Sequence, residues 1–211
     1  MNSLNNKIYE NLELLPLDLQ GWNGNSNVFM ELIQETRPEI IVEIGTWKGQ
    51  SAINMANCCK SLGLQTKIYC IDTWLGALEF WHGLNETPER DLMLKNGYPQ
   101  IYYQFLSNVV HSNCQDMIIP VPLPSILGIK LLNKLGIKAG LIYIDGSHEY
   151  EDVVLDIAVS NDLISKTKAV IFGDDYRTFR GVLIAVNKIQ YMANKTLEIR
   201  ENNFWILRNE D

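Results

Sequence analysis

The stretch "IYIDGSHEYEDVVLDI", residues 142–157, decides how the rest of the chain is read. It begins as a near-continuous apolar run and breaks off at Asp145-Gly146-Ser147-His148. It resumes with Glu149, Glu151 and Asp152 ahead of apolar residues at helical spacing. Such a run bounded by glycine reads as a buried strand, and acids in a first turn favour the positive end of a helix. Strand followed directly by helix is part of a βαβ unit. Asp145, at the end of a buried strand, then needs either a partner or a chemical task.

The same alternation extends in both directions. Upstream, Asn25 or Ser26 can cap a helix to about Thr36 that carries Val28, Phe29, Leu32 and Ile33 on one face, with Pro38 closing it. "EIIVEIG" (39–45) and "KIYCID" (67–72) read as strands around a helix from Ser51 to about Ser61. "MIIPVP" (117–122) is a third strand, "SILGIKLLNKLG" (125–136) a helix, and "AGLIYID" (139–145) a fourth strand. A helix from Glu149 to about Leu163, a fifth strand "AVIFGDD" (169–175) and a helix "GVLIAVNKIQYM" follow. "TLEIREN" and "NFWILRN", with a turn at Asn202 and Asn203, form a closing antiparallel hairpin. Residues 75–112, with Phe80, Trp81, Tyr102 and Tyr103, read as a helical insertion over the sheet edge. The fold class is α/β: a doubly wound, Rossmann-like, mostly parallel sheet with helices on both faces.

At 211 residues the chain suits one domain, 1–211, with a helical segment over 1–38 ahead of the first strand. A net charge of −7 opposes a sequence-independent grip on nucleic acid, which Lys and Arg must supply. No stretch approaches the ~18 uninterrupted apolar residues of a membrane span, and "MNSLNNKIYENLELLPLDLQ" lacks a secretory pattern, so a cytoplasmic location is expected. Cys58, Cys59, Cys70 and Cys114 lack metal-ligand spacing and read as buried thiols.

In doubly wound sheets, ligands bind beyond the carboxyl ends of the strands. Those ends carry Glu43 with the turn Gly45–Gly49, then Asp72, Asp145, Asp174 and Asp175. "VEIGTWKGQS" spaces its residues Glu-x-Gly-x-x-x-Gly, unlike the Gly-x-Gly-x-x-Gly loop that faces a pyrophosphate. Its acid before the first glycine suits a cationic ligand. Asp72, 23 residues past Gly49, can accept both hydroxyls of a ribose. The converging Asp145, Asp174 and Asp175 must share protons or hold a cation, and oxygen ligands favour Mg²⁺, Ca²⁺ or Mn²⁺. The competing reading has Asp174 capping the next turn and Asp175 paired with Arg177 or Arg180. His148 reads equally as a proton acceptor or as a brace for the Glu149 helix.

Taken together, "VEIGTWKGQS", "YCIDTWLG", "IYIDGSHEYEDVVLDI" and "IFGDDYRTFRGVLIAV" resemble class I S-adenosylmethionine-dependent methyltransferases, in the branch of macrocin- and novobiocin-type sugar O-methyltransferases and cephalosporin-hydroxylase-like proteins. The resemblance spans roughly residues 38–190 and implies a seven-stranded sheet whose last strand is antiparallel. It places the methionine end of S-adenosylmethionine, or of the product S-adenosylhomocysteine, against Glu43, Gly45, Thr46, Trp47, Gly49 and Ser51. The ribose falls on Asp72, with Thr73 and Trp74 flanking the adenosine, Ser125 near the adenine, and Asp145 bordering the cofactor. It also implies Mg²⁺ on Asp145, Asp174 and Asp175. The expected reaction is metal-assisted methylation of a small-molecule hydroxyl, on a sugar or related metabolite, with Asp145 the first candidate base and His148 the second. The partner is the acceptor, with no nucleic acid or membrane and with homo-oligomerisation open. Two rivals stand: a non-catalytic binding or assembly protein on the same fold, and a nicotinamide-dependent oxidoreductase, which the glycine spacing disfavours.

Overall fold

The computed structural model describes residues 7–82, 88–165 and 169–209. Five strands, β1 (Ile40–Ile44), β2 (Lys67–Asp72), β3 (Ile118–Pro122), β4 (Leu141–Ile144) and β5 (Val170–Gly173), run parallel. The hairpin of β6 (Lys195–Arg200) and β7 (Phe204–Asn209) completes one sheet of order β3-β2-β1-β4-β5-β7-β6, with β7 antiparallel to both neighbours. Glu201 and Asn202 turn the hairpin with φ of 47° and 64°, one residue earlier than the Asn202–Asn203 expectation. This is the seven-stranded Rossmann-like sheet expected from the sequence.

Register creates a ligand edge. Ile44 lies opposite both Ile71 and Ile144, and Ile144 opposite Gly173. The next residue of each strand, Gly45, Asp72, Asp145 and Asp174, therefore emerges on the same side of the sheet. The chain winds outward from β1 in one direction and returns through β4 in the other, so the crevice opens between the ends of β1 and β4.

Helices cover both faces because successive strand residues point oppositely. Ile41, Ile68, Leu141, Tyr143 and Phe172 pack with α1 (Asn27–Thr36), α2 (Gln50–Ser61) and α4 (Ile101–His111). Val42, Ile44, Ile71, Ile142 and Ile171 pack with α5 (Ser125–Lys134), α6 (Tyr150–Ser160) and α7 (Arg180–Met192). Ser26 caps α1, its hydroxyl accepting from the Val28 N–H at 3.0 Å. All four cysteines are free and buried. Among the described residues, no helix is long and apolar enough to cross a membrane.

Two regions depart from the sequence reading. Within 75–112, α4 is the core crossover helix between β2 and β3, burying Ile101, Phe105 and Val109. The irregular part runs from 75 to 100, with the short α3 (Leu78–His82) and a 3₁₀ turn at Pro88–Arg90; residues 83–87 lie outside the described ones. The expected helical segment over 1–38 is helical in α1 alone, while 12–20 form an extended strap and 1–6 lie outside the described residues.

Side chains of α4 explain the strap, since they supply the hydrogen bonds that a helix would have made internally. Asn108, fully buried, accepts from Asp18 N–H at 3.0 Å and donates to the carbonyls of Asp18 and Lys48. Ser107 accepts from Leu15 N–H at 3.0 Å, and Gln104 donates to the Pro16 carbonyl at 2.8 Å. Asn108→Leu removes the Asn108 hydrogen bonds to Asp18 and Lys48, puts a larger apolar side chain in their place and leaves those backbone groups unpaired. The expected loss is about 2–4 kcal/mol in urea unfolding, with faster proteolysis inside 12–20 than elsewhere. Unchanged stability and cleavage would show that the strap is held by other means.

Candidate active site

The loop after β1 is shaped by close approach. Gly45 has φ of 79°, and a Cβ there would stand 2.1 Å from the carbonyl oxygen of Asp145. Only glycine permits both that conformation and that contact. Asp72 then fixes the loop: Oδ2 accepts the N–H of Thr46 at 2.8 Å and of Trp47 at 3.0 Å, while Oδ1 accepts Trp74 N–H at 2.7 Å. A carboxylate has about four acceptor positions, so Asp72 keeps room for one hydroxyl rather than the ribose pair read from the sequence. Trp74 is buried against Tyr102 and Phe105, and its indole N–H holds the Trp47 carbonyl at 2.9 Å. It therefore braces the loop from beneath, and Thr73 stands partly exposed between it and Asp72.

Glu43 also faces inward. It is fully buried and accepts hydrogen bonds from Ser51, from Thr46 at 3.1 Å and from the Cys70 thiol at 3.4 Å. Burial raises its pKa from 4.5 to about 7, against the lowering effect of those donors. Glu43, Thr46 and Ser51 thus form a buried polar clasp under the loop.

At the ends of β4 and β5, Asp145, His148 and Asp175 each offer one ligand atom within 4.8 Å of the others. His148 Nε2 is 3.1 Å from Asp175 Oδ2, and Nδ1 is 3.3 Å from Glu79 Oε1 on α3. Phe179 stacks on the imidazole at 3.9 Å between centroids, with 9° between planes. Burial opposes a charge on His148, yet Asp175, Asp145 and Glu79 hold its pKa above the ordinary value. Burial first, and then Asp175 and Asp174, push Asp145 up to about 8, while the Tyr143 hydroxyl donates to its Oδ2 at 2.8 Å.

Asp174 lines the same cavity, but its oxygens are taken up by other donors. Its Oδ1 accepts from Asp175 N–H and from Asn203, both at 2.7 Å, and Oδ2 accepts from Asn23 at 2.8 Å. The turn-capping reading of Asp174 describes its geometry, and the partner of Asp175 is His148 rather than Arg177 or Arg180. The expected trio of aspartates becomes two aspartates and a histidine. Ser125, at the start of α5, faces the buried Asp156 of α6, whose pKa rises to about 6 through burial and is moderated by a hydrogen bond with Ser125.

Sequence reasoning missed Tyr143, Glu79, Asn23 and Asn203. Tyr143 was findable, since residues two apart on an extended chain share a side. The other three reach the site only through tertiary contact.

Comparisons with known proteins bear on the family and the fold. Residues 42–176 match a family described as "Methyltransferase domain", and the chain belongs to that family. No curated protein matches it in sequence. Among solved structures, an O-methyltransferase from Bacillus cereus in complex with SAH aligns with a TM-score of 0.60 at 14% identity, over 93% of this chain and 84% of that one. The calicheamicin methyltransferase CalS11 gives 0.63 at 17%, over 88% and 77%. The O-methyltransferase TomG from Streptomyces achromogenes, in complex with SAM, gives 0.60 at 13%, over 92% and 82%. The fold is that of class I S-adenosylmethionine-dependent O-methyltransferases.

Glu43 yields a test of the clasp. Its folded pKa lies above its unfolded one, so its contribution to stability is complete below about pH 4.5 and is lost as the pH rises through about 7, on the order of 3 kcal/mol in all. Glu43→Gln keeps the shape without the titration. Urea unfolding of the variant at about pH 5 and pH 8 should lack that decline; an identical decline in both proteins would remove Glu43 as its source.

Proposed function

We propose that this protein transfers the methyl group of S-adenosylmethionine to a hydroxyl of a small molecule, a sugar or related metabolite, with a divalent cation assisting. The observation that carries the proposal is the juxtaposition at one sheet edge of the Asp72-clamped loop and the Asp145–His148–Asp175 group. Membership of the methyltransferase family supports the reaction class. A sugar acceptor gains support from the likeness to CalS11, described as a TDP-rhamnose 3′-O-methyltransferase.

On this reading the cofactor lies along the loop 45–49, with a ribose hydroxyl at the remaining acceptor position of Asp72. It supplies an electrophilic methyl group on a sulfonium, for which the protein must hold an acceptor oxygen in line. Two carboxylate oxygens and one imidazole nitrogen suit a hard or borderline divalent cation, whose excess positive charge the crowded acids would balance. Bound there, Mg²⁺ would act as a Lewis acid on the acceptor hydroxyl. The protein's own groups do the positioning. Tyr143 anchors Asp145 at Oδ2, and with a cation's charge keeping the carboxyl ionised the acceptor proton would be taken at Oδ1. His148, held by Asp175 and stacked on Phe179, orients the hydroxyl and is the alternative base if its nitrogen is not a cation ligand.

The test is calorimetric titration of chelator-treated protein with S-adenosylhomocysteine. Wild type should bind, and Asp72→Ala, checked for a cooperative melt, should bind about 10–100-fold more weakly. A folded wild type that does not bind contradicts the proposal. In a second titration Mg²⁺ should bind wild type and be lost in Asp175→Ala; equal binding by both would move the cation off this group.

A further inference from the structure

Three aromatic side chains from separate parts of the chain meet beside the carboxylate group, and the transfer chemistry above leaves two of them without a role. Trp22, just past the strap, lies 6.3 Å from Trp47 and 6.0 Å from Phe80 of α3, and Trp47 and Phe80 are 4.8 Å apart. Core packing does not account for Trp22, which remains 47% exposed. A half-solvated indole held in a cluster of rings is poised to cover something else.

Two pairs of adjacent residues locate the trio relative to the acids. Trp22 faces the rings, while Asn23 donates to Asp174 Oδ2 at 2.8 Å. Phe80 faces the rings, while Glu79 stands 3.3 Å from His148. Neighbouring Cα atoms are only about 3.8 Å apart, so the aromatic trio stands within a side chain's length or two of the acids at this edge. The trio is held in place. Gln20 accepts the Trp47 indole N–H at 3.1 Å, and Asp72 holds the Trp47 backbone, so the orientation of the trio is set by the same contacts that shape the loop.

From this juxtaposition we infer that the acceptor is a ring, pyranose or aryl, whose apolar face stacks on Trp22 and Phe80 while a hydroxyl on its edge meets Asp145 and His148. The inference rests on the methyl-transfer reading and narrows its substrate to ring-borne hydroxyls, with Trp22 the specificity-determining residue. The chemistry is shared by both ring types: a C–H-lined pyranose face and an aryl face each gain dispersion and quadrupole attraction from an indole. An acyclic polyol presents no such face. Stacking also fixes the plane of the ring, which limits the hydroxyls that can point at the acids.

Saturation-transfer NMR on protein saturated with S-adenosylhomocysteine tests this, with methyl rhamnopyranoside, phenol and the acyclic erythritol as probes. At least one ring probe should receive saturation and erythritol none; the ring that responds identifies the pyranose or the aryl source. Trp22→Ala should weaken the responding ring about tenfold, and Trp22→Phe should restore most of that binding. Calorimetric affinity for S-adenosylhomocysteine should be unchanged in Trp22→Ala. No response from either ring, equal responses from rings and erythritol, or indifference to Trp22→Ala overturns the inference. So does an equal weakening of the cofactor product, which would make the trio a cofactor wall. If wild type fails to bind S-adenosylhomocysteine yet a ring still binds through Trp22, the methyl-transfer reading falls and the ring site stands.

Discussion

One carboxylate organises this site. Asp72, at the end of β2, accepts the backbone N–H groups of Thr46 and Trp47, two charge-assisted hydrogen bonds that pull the loop after β1 onto the neighbouring strand, and that of Trp74, which closes its own turn. The loop can close only because Gly45 passes the Asp145 carbonyl without a side chain. Glu43, Thr46 and Ser51 grip it from below, and Trp74 pins its carbonyl at Trp47. The position of β4's end, and hence of Asp145, follows from that approach.

The second constraint is charge. Asp145, Asp174 and Asp175 converge at the ends of β4 and β5, with Glu79 beside them, and the three aspartates are handled differently. Asp174 is satisfied by amide donors: Asn23 from beyond the strap, Asn203 from the hairpin and the Asp175 backbone. It is thereby spent on architecture, tying chain segments far apart in sequence to the end of β5. Asp175 is paired with His148, and Asp145 answers its neighbours by holding its proton more firmly, with Tyr143 as anchor. Groups left with unsatisfied charge are the ones suited to a cation or a reacting proton.

Much of this was legible in the sequence because parallel strands buried on both faces leave runs such as "EIIVEI" and "LIYI" that little else resembles. The acids ending those runs emerge together at one edge of the sheet, as the sequence led us to expect, and the asparagines after "TLEIRE" placed the hairpin to within one residue. The strap was not read from the sequence: Pro16 in "LELLPLDLQ" argues locally against a helix, but the hydrogen bonds that fix the strap come from Gln104, Ser107 and Asn108, some ninety residues away. The aromatics Phe80, Trp81, Tyr102 and Tyr103 made α4 look like part of an insertion, although its apolar face is core. Side-chain aim was equally hidden. Asp174 and Asp175 are adjacent, and a positive φ of 67° at Asp175 accompanies the divergence of their carboxyls, one to amides and one to His148. Trp74 reads as a ligand contact beside Asp72, yet the half-buried Tyr102 and the buried Phe105 draw it into the core.

The central claim is that a single edge, built from the ends of β1, β2, β4 and β5, holds cofactor and cation side by side. The most direct measurement is a crystal structure of the complex with S-adenosylhomocysteine and Mn²⁺, the metal located by its anomalous scattering. The account predicts the ribose at Asp72 and the cation on Asp145, His148 and Asp175. Cofactor bound away from the loop 45–49, or a metal peak elsewhere on a structure whose edge is intact, would contradict it.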